Sequence, residues 1–414
     1  MKYPITPDYI KNAPKEIERL YRALEAYILQ DICERFKLSG QATATALEEI
    51  RELQRRGYSY ADIEKYIKHT LKLTDSEYER IMAQAVSDNQ IYYKDVLTAS
   101  QLVSADFEAE VIQSEINAII AQCKGNLDNL TQSLGFSVRV NGQLTYLPIA
   151  QAYQRVLSDA EMKVWAGVES PSEAIREAVK QLADSGIRVV TYDNGNRPHV
   201  DHADVAARRA VMTGITQLSS KYGEQIREQV PTDYIEVSAH RGARDVVKPG
   251  VPWSSHKAWQ GKVYSVRTGD IYPNIYARTG WGEVDGLEGA NCRHMHFPFW
   301  EGISERTYTD EELANIDPPP QNYKGHEYNA YAATQRQRQY ERELRKIKRE
   351  LLSYDAAGDS ESYKTAATKY RNFTQEYEEF CKAMGLKPTE RGNIAEFSPS
   401  DARKALKTLK IAGI

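Results

Sequence analysis

The stretch GANCRHMHFPFW, Gly289 to Trp300, gathers a cysteine, an arginine, two histidines and three aromatics around one proline. If it is extended, successive side chains alternate, and Cys292, His294 and His296 share one face. It closes a segment, residues 231–300, unlike the rest of the chain. Tyr234-Ile-Glu-Val-Ser-Ala and Lys262-Val-Tyr-Ser-Val read as strands, and four of the five tryptophans fall between Trp253 and Trp300 among many glycines and prolines. Short strands held in long ordered loops are a common place for function.

The pattern on both sides of this segment is helical. Leu20, Leu24, Ile28 and Ile32 recur every four residues, one apolar stripe that Ser39-Gly40 interrupts. Ser59 with Asp62, and Thr74 with Glu77, resemble capping boxes that start new helices, and an amphipathic run extends from about Thr98 to Cys123. FSVRVNGQLTYL alternates around Asn141-Gly142, a pair suited to a type I′ turn, and predicts a hairpin. Helix is expected over about Ser158 to Asp184, then a short strand and turn in IRVVTYDNGNRP, then a helix capped by Asp201 and running to about Val230. After Asp317-Pro-Pro-Pro, two seams (Tyr340, Leu344, Ile347, Leu351 and Tyr370, Phe373, Tyr377, Phe380) predict an antiparallel helical hairpin across Ala356-Ala-Gly-Asp. The fold class is therefore α+β, predominantly helical: a helical N-terminal region (1–135), a hairpin-plus-helix connector (136–200), a small loop-rich core with short strands (201–316), and a C-terminal helical hairpin and tail (317–414).

Composition narrows the function classes. The 414 residues carry 54 basic and 58 acidic side chains, a net charge of -4 that gives no global attraction to nucleic acid. Tyrosine is abundant, 27 against 8 phenylalanines, which suits wet interfaces. Four widely spaced cysteines without a CxxC pair favour a reduced protein over a disulfide framework. The N-terminal residues lack an apolar signal core, and no apolar run approaches membrane-spanning length, so neither a cleaved signal nor a membrane is expected.

Of eight histidines only His69 lies outside residues 199–326, and His240, His256, Cys292, His294 and His296 share the loop-rich segment. They are the candidate metal ligands, with zinc the natural ion, although the spacing matches no standard finger. The plainer alternative is a set of hydrogen-bonded, half-buried side chains stitching loops together. Cys292 with His240 or His256 offers a nucleophile pair, and His240, Arg241, Arg244 and His256 offer a nuclease-like set. No phosphate-binding glycine motif supports nucleotide hydrolysis. RQRQYERELRKIKRE, Arg336 to Glu350, holds seven Lys/Arg and three Glu, so Arg345, Lys346, Lys348 and Arg349 are candidate DNA contacts. A solvated helix face with i,i+4 pairs such as Glu341 with Arg345 is the alternative.

Four segments taken in order resemble a known family: EVSAHRGARDVVKPGVPWSSHKAWQGKVYSV, YPNIYARTGWGEVDGLEGANCRHMHFPFWEGIS, YAATQRQRQYERELRKIKRE and YRNFTQEYEEFCKAMGLKPTERGNI. They resemble the tailed-phage minor capsid proteins, more narrowly the second minor capsid protein of phages of Gram-positive bacteria, related to Mu F-like head morphogenesis proteins. The resemblance covers roughly residues 185–395. It implies a virion component made in the host cytoplasm, present in few copies at the portal vertex or inside the head, and active in procapsid assembly. The portal or major capsid protein would be its partner, with phage DNA as a further one, and no catalytic residue or cofactor is implied. The motif positions are Ser238, Ala239, His240, Arg244, His256, Trp259, Gln260, Gly261, Asn291, Cys292, Arg293 and His294. DVVKPGVPWSS, between Arg244 and His256, departs from the closer spacing expected of the family; some Mu F-like relatives end in toxin domains, and the simple helices after the motif region lead us to expect none here.

Overall fold

The computed structural model describes residues 3–39, 61–104, 113–192, 199–283, 285–289 and 292–388. In chain order the described elements are α1 (Pro7–Asn12), α2 (Lys15–Ser39), α3 (Ala61–Ala99), α4 (Gln113–Gln132), β1 (Leu134–Val140), β2 (Gln143–Pro148), α5 (Ile149–Trp165), α6 (Pro171–Ser185), β3 (Arg188–Tyr192), β4 (His199–His202), α7 (Ala203–Gln229), β5 (Tyr234–Val237), β6 (Val263–Ser265), α8 (Ile275–Thr279), β7 (His296–Phe299), α9 (Asp310–Ala314), β8 (Gln321–Tyr323), β9 (His326–Tyr328), α10 (Ala330–Ala357) and α11 (Ser360–Ala383). The protein is α+β and predominantly helical. It forms two compact units, one from Met1–Ile17, Asp75–Leu127 and Ala207–Gln335, the other from Glu18–Thr74, Asp128–Ala206 and Arg336–Ile414. This partition follows contacts in space, whereas the four sequence segments follow changes of residue pattern.

The first unit holds the sheet β6-β5-β7, antiparallel throughout, with Ile235 opposite both Tyr264 and Pro298. Ile235, Val237, Trp259, Tyr264, Ile275 and Leu287 form its apolar cluster. Beside it the tyrosines are interior. Tyr3 stacks on Phe297 at 4.9 Å and donates to Asn89, Asn89 donates to Ser219, and Tyr93 stacks on Tyr222. Among the described residues eleven tyrosines are buried, so part of the tyrosine excess is core packing rather than the wet surface its abundance suggested. In β5, Glu236 is buried and accepts from the Thr307 amide at 2.7 Å and the Thr307 hydroxyl at 3.0 Å.

The second unit holds the sheet β2-β1-β3-β4. The expected hairpin forms with Val140 opposite Gln143, and Asn141 (φ 50°) and Gly142 (φ 81°) supply the left-handed turn. The C-terminal hairpin also forms. Tyr340, Leu344, Ile347, Tyr377 and Phe380 are buried, with the Tyr340 ring 5.3 Å from that of Phe380.

A buried ionic network ties together elements that are distant in sequence. Asp204 takes Arg22 at 3.2 Å and Arg345 at 2.7 Å; Arg22 also holds Glu18. Arg349 donates to the Ala183 carbonyl at 2.8 Å and lies 3.7 Å from Glu25, and Lys346 lies 3.4 Å from Asp184. Arg345 and Arg349, read from sequence as DNA contacts, are thus spent on internal pairs, as is Lys346; Lys348 is half-buried. Helix periodicity cannot assign a basic face to solvent when distant carboxylates converge on it.

Several expected boundaries differ. Thr74 and Glu77 start no helix; they lie inside α3, because Lys72-Leu-Thr-Asp-Ser-Glu carries no glycine or proline to stop the preceding turns. Ser59 lies outside the described residues. The run from Thr98 is interrupted after Ala99, where Gln101 adopts φ 58°. The single helix expected over Ser158–Asp184 is two, α5 and α6, parted by Gly167 at φ 67° and restarted by a Ser170–Glu173 capping box with Pro171 in its first turn. Asp201 lies in β4 instead of capping a helix. Residues 321–328 form the hairpin β8-β9 around Lys324-Gly325, where helix was expected to resume.

Two stability consequences follow. Asp204→Ala takes from Arg345 the carboxylate it meets at 2.7 Å, while Arg22 keeps Glu18, and a loss of about 3 kcal/mol is expected by urea denaturation; a loss below about 1 kcal/mol would mean that water compensates Arg345. Glu236 is pushed up to about 7, first by burial. An acid whose folded pKa is raised favours the folded state while protonated, so wild-type stability is expected to fall by about 3 kcal/mol as pH rises from about 4.5 to about 7. Glu236→Gln should flatten that slope, and parallel pH profiles for the two proteins would refute the assignment.

Candidate metal centre

Gly261 sets the approach of the two motif segments. It adopts φ 70°, and a Cβ there would sit 2.3 Å from Leu313 and 3.1 Å from Ala239. Ser238, just beyond β5, donates its backbone N–H to the Met295 carbonyl at 2.9 Å and accepts from the Met295 amide through its hydroxyl at 3.0 Å. This clamp brings the Ser238–Arg244 loop beside Cys292–His296. His256 opens a short 3-10 turn ahead of Trp259, whose indole N–H donates to the Trp253 carbonyl at 2.9 Å. Opposite that turn, Gly286 is packed so closely that a Cβ would lie 1.9 Å from the Gly280 oxygen.

Three side chains meet. Cys292 Sγ lies 3.6 Å from His256 Nδ1 and 3.5 Å from His294 Nδ1, and the three ligand atoms fall within 4.8 Å of one another. His256 and His294 are buried and Cys292 is half-buried. The outer ring nitrogens are engaged: His256 Nε2 with the Asp285 carbonyl at 3.0 Å, His294 Nε2 with Gln260 Oε1 at 3.0 Å. The same Gln260 oxygen accepts from the His240 amide at 3.0 Å. Trp259 walls the group, its ring 4.6 Å from His256 and 4.8 Å from His294.

The other two candidate ligands stand apart. His240 stacks on His294 at 4.4 Å, while its Nδ1 lies 2.9 Å from the Arg241 carbonyl and 3.1 Å from Arg293. His296 belongs to a carboxylate pair, 2.8 Å from Glu288 and 3.4 Å from Glu224. The alternation that put Cys292, His294 and His296 on one face fails because β7 begins only at His296, leaving Cys292 and His294 in irregular chain. Arg244 reaches Asp285, whose carboxylate also holds Lys248 at 2.7 Å, and Asn291 lies outside the described residues. Sequence reasoning missed Asp285 and Glu288. Nothing in a sequence marks a backbone carbonyl as a histidine's partner, while acids within a glycine-rich loop were the available signal for Glu288.

The electrostatics separate the chemistries. Burial pushes the Cys292 thiol up to about 11 and His256 down to about 4; burial, then His240 and His256, hold His294 well below its usual range. These are a thiol and two neutral imidazoles, unlike the thiolate–imidazolium pair of a cysteine nucleophile. Neutral imidazoles beside a sulfur are instead the donor set of a zinc-type ion. Burial opposes charge on His296, but Glu288 and Glu224 outweigh it and hold the ring up to about 9. Burial would raise Glu224, yet His296 and Arg227 bring it down to about 2.

Comparison with known proteins places the chain in a family. Residues 5–382 match the family described as phage minor capsid protein 2. The chain belongs to that family. It is also 24% identical over 298 residues to a structural protein of Lactococcus phage LL-H, covering 67% of this chain and 72% of that protein. No solved structure matches the chain.

His296→Gln would remove the cation that Glu224 and Glu288 share, leaving Glu224 to Arg227 and Glu288 without the imidazolium. A loss of about 3–5 kcal/mol is expected at pH 7. A raised histidine pKa stabilises fully below about 6.5, so wild type should lose this contribution as pH climbs toward about 9, and the variant should not. Denaturation midpoints across that range test both statements, and a variant as stable as wild type at pH 7 would remove His296 from the charge balance.

Proposed function

We propose that this protein is a non-enzymatic structural component of the phage head, resident in the virion after synthesis in the host cytoplasm. It acts in procapsid assembly near the portal, with the portal protein, the major capsid protein or both as partners. The observation that carries this reading is the extent of the family match, residues 5–382, which draws on both compact units and takes in the whole motif core. Support comes from the neutral thiol–imidazole group, which lacks the charge state of a nucleophile. The chain also presents apolar surface of the kind that partners cover: Met162, Trp165 and Val168 are 66%, 75% and 71% exposed around the end of α5. Among the described residues no helix is long and apolar enough to cross a membrane.

A role in DNA packaging or ejection would not run through Arg345 and Arg349, which are held by acids and carbonyls of their own unit. Removing the gene from the phage tests the proposal. Particles should form in reduced number, or with incomplete DNA content, and complementation should restore them. Normal yields of infectious, DNA-filled virions without the protein would overturn the assembly role.

A further inference from the structure

We propose that His256 Nδ1, Cys292 Sγ and His294 Nδ1 bind one zinc ion, with Gln260 and the Asp285 carbonyl fixing the two imidazoles behind it.

The assignment begins with a hydrogen. The His240 backbone N–H can only donate, so the Gln260 atom it meets at 3.0 Å is the oxygen. That oxygen is also 3.0 Å from His294 Nε2, so Nε2 carries the ring proton of neutral His294. The Asp285 carbonyl likewise makes Nε2 of His256 the protonated nitrogen. Both Nδ1 atoms therefore present bare lone pairs, and both point at one sulfur. A thiol has one proton and can satisfy one of them. Without a cation, at least one buried imidazole lone pair faces sulfur lone pairs, an arrangement that buried polar groups avoid.

A metal ion resolves the conflict, and the spacing suits it. Zinc ligands at about 2.3 Å for sulfur and about 2.05 Å for nitrogen in a tetrahedron have S···N edges of about 3.6 Å. The observed edges are 3.6 and 3.5 Å. The His294 amide points at Sγ from 3.4 Å, a donor that favours thiolate. Oriented outer nitrogens are the usual support of ligating histidines. On binding, the Cys292 S–H proton leaves to solvent, the thiolate pair forms the Zn–S bond, and no oxidation state changes. Three protein ligands leave the fourth tetrahedral position to a water. This site rests on the motif loops alone, so it stands or falls independently of the role in head assembly.

The test is metal analysis of the untagged, full-length protein purified without chelator, where about one zinc per chain is expected. After chelator stripping, cobalt(II) titration should saturate near one equivalent and give a thiolate-to-cobalt charge-transfer band. Cys292→Ser should abolish that band, and Cys381→Ser should keep it. Gln260→Ala should keep the band while weakening affinity about 10–100-fold. If Cys292→Ser does not fold, competition between the stripped wild type and a chromophoric chelator still reads the affinity. A folded wild-type protein with less than about a tenth of an equivalent of zinc and no cobalt band would overturn the site, as would a band that persists in folded Cys292→Ser.

Discussion

Every buried polar group needs a partner, and the loop-rich core of the first unit must meet that demand with strands of three or four residues. Regular ladders satisfy little of it. Side chains take over: Ser238 holds Met295, Gln260 bridges the His240 amide to the His294 ring, and Glu236 anchors the Thr307 backbone. Gln260 is the joint of this arrangement, since one oxygen fixes both the turn after β5 and the orientation of a ring in the facing segment. Gly261 beside it lets the two backbones approach. The density of motif residues here follows from this demand as much as from any chemistry.

The second unit meets the same constraint with charge. Asp204 joins α7 to α2 and α10, and Arg349 reaches the carbonyl at the end of α6. Such pairs repay little net stability, because desolvation offsets attraction, but losing one partner is costly. They specify which helix faces meet. The high charge content of α10 is therefore compatible with partial burial, and a local excess of Lys and Arg says little about DNA until their acids are located.

What was legible in the sequence was what local chemistry dictates. Asn141-Gly142 forced a turn, and the aromatic seams of α10 and α11 forced a hairpin. The helical α+β class followed from those periods. The site was legible by composition: Cys292, His294 and His256 were all marked, but the face-sharing argument selected His296 by assuming a strand that starts too early. The partner that completes a ligand is set by loop geometry, which has no period. The same blindness hid the break between α5 and α6, although Ser170-Pro-Ser-Glu spelled a helix start, and it hid the acids that claim Arg345.

The proposed ion answers a problem of connectivity. His256 and Cys292 are 36 residues apart, and the chain between them holds β6, α8 and a glycine-rich loop with few ladder bonds. An ion that binds the folded site and not the unfolded chain stabilises the fold by its binding free energy, and it acts without lengthening the strands. A zinc tie would explain why such short strands suffice. The imidazoles are oriented by a buried amide and a carbonyl instead of carboxylates, so with one thiolate such a site would keep a net charge of +1, while Arg244 and Lys248 nearby share the single Asp285 carboxylate.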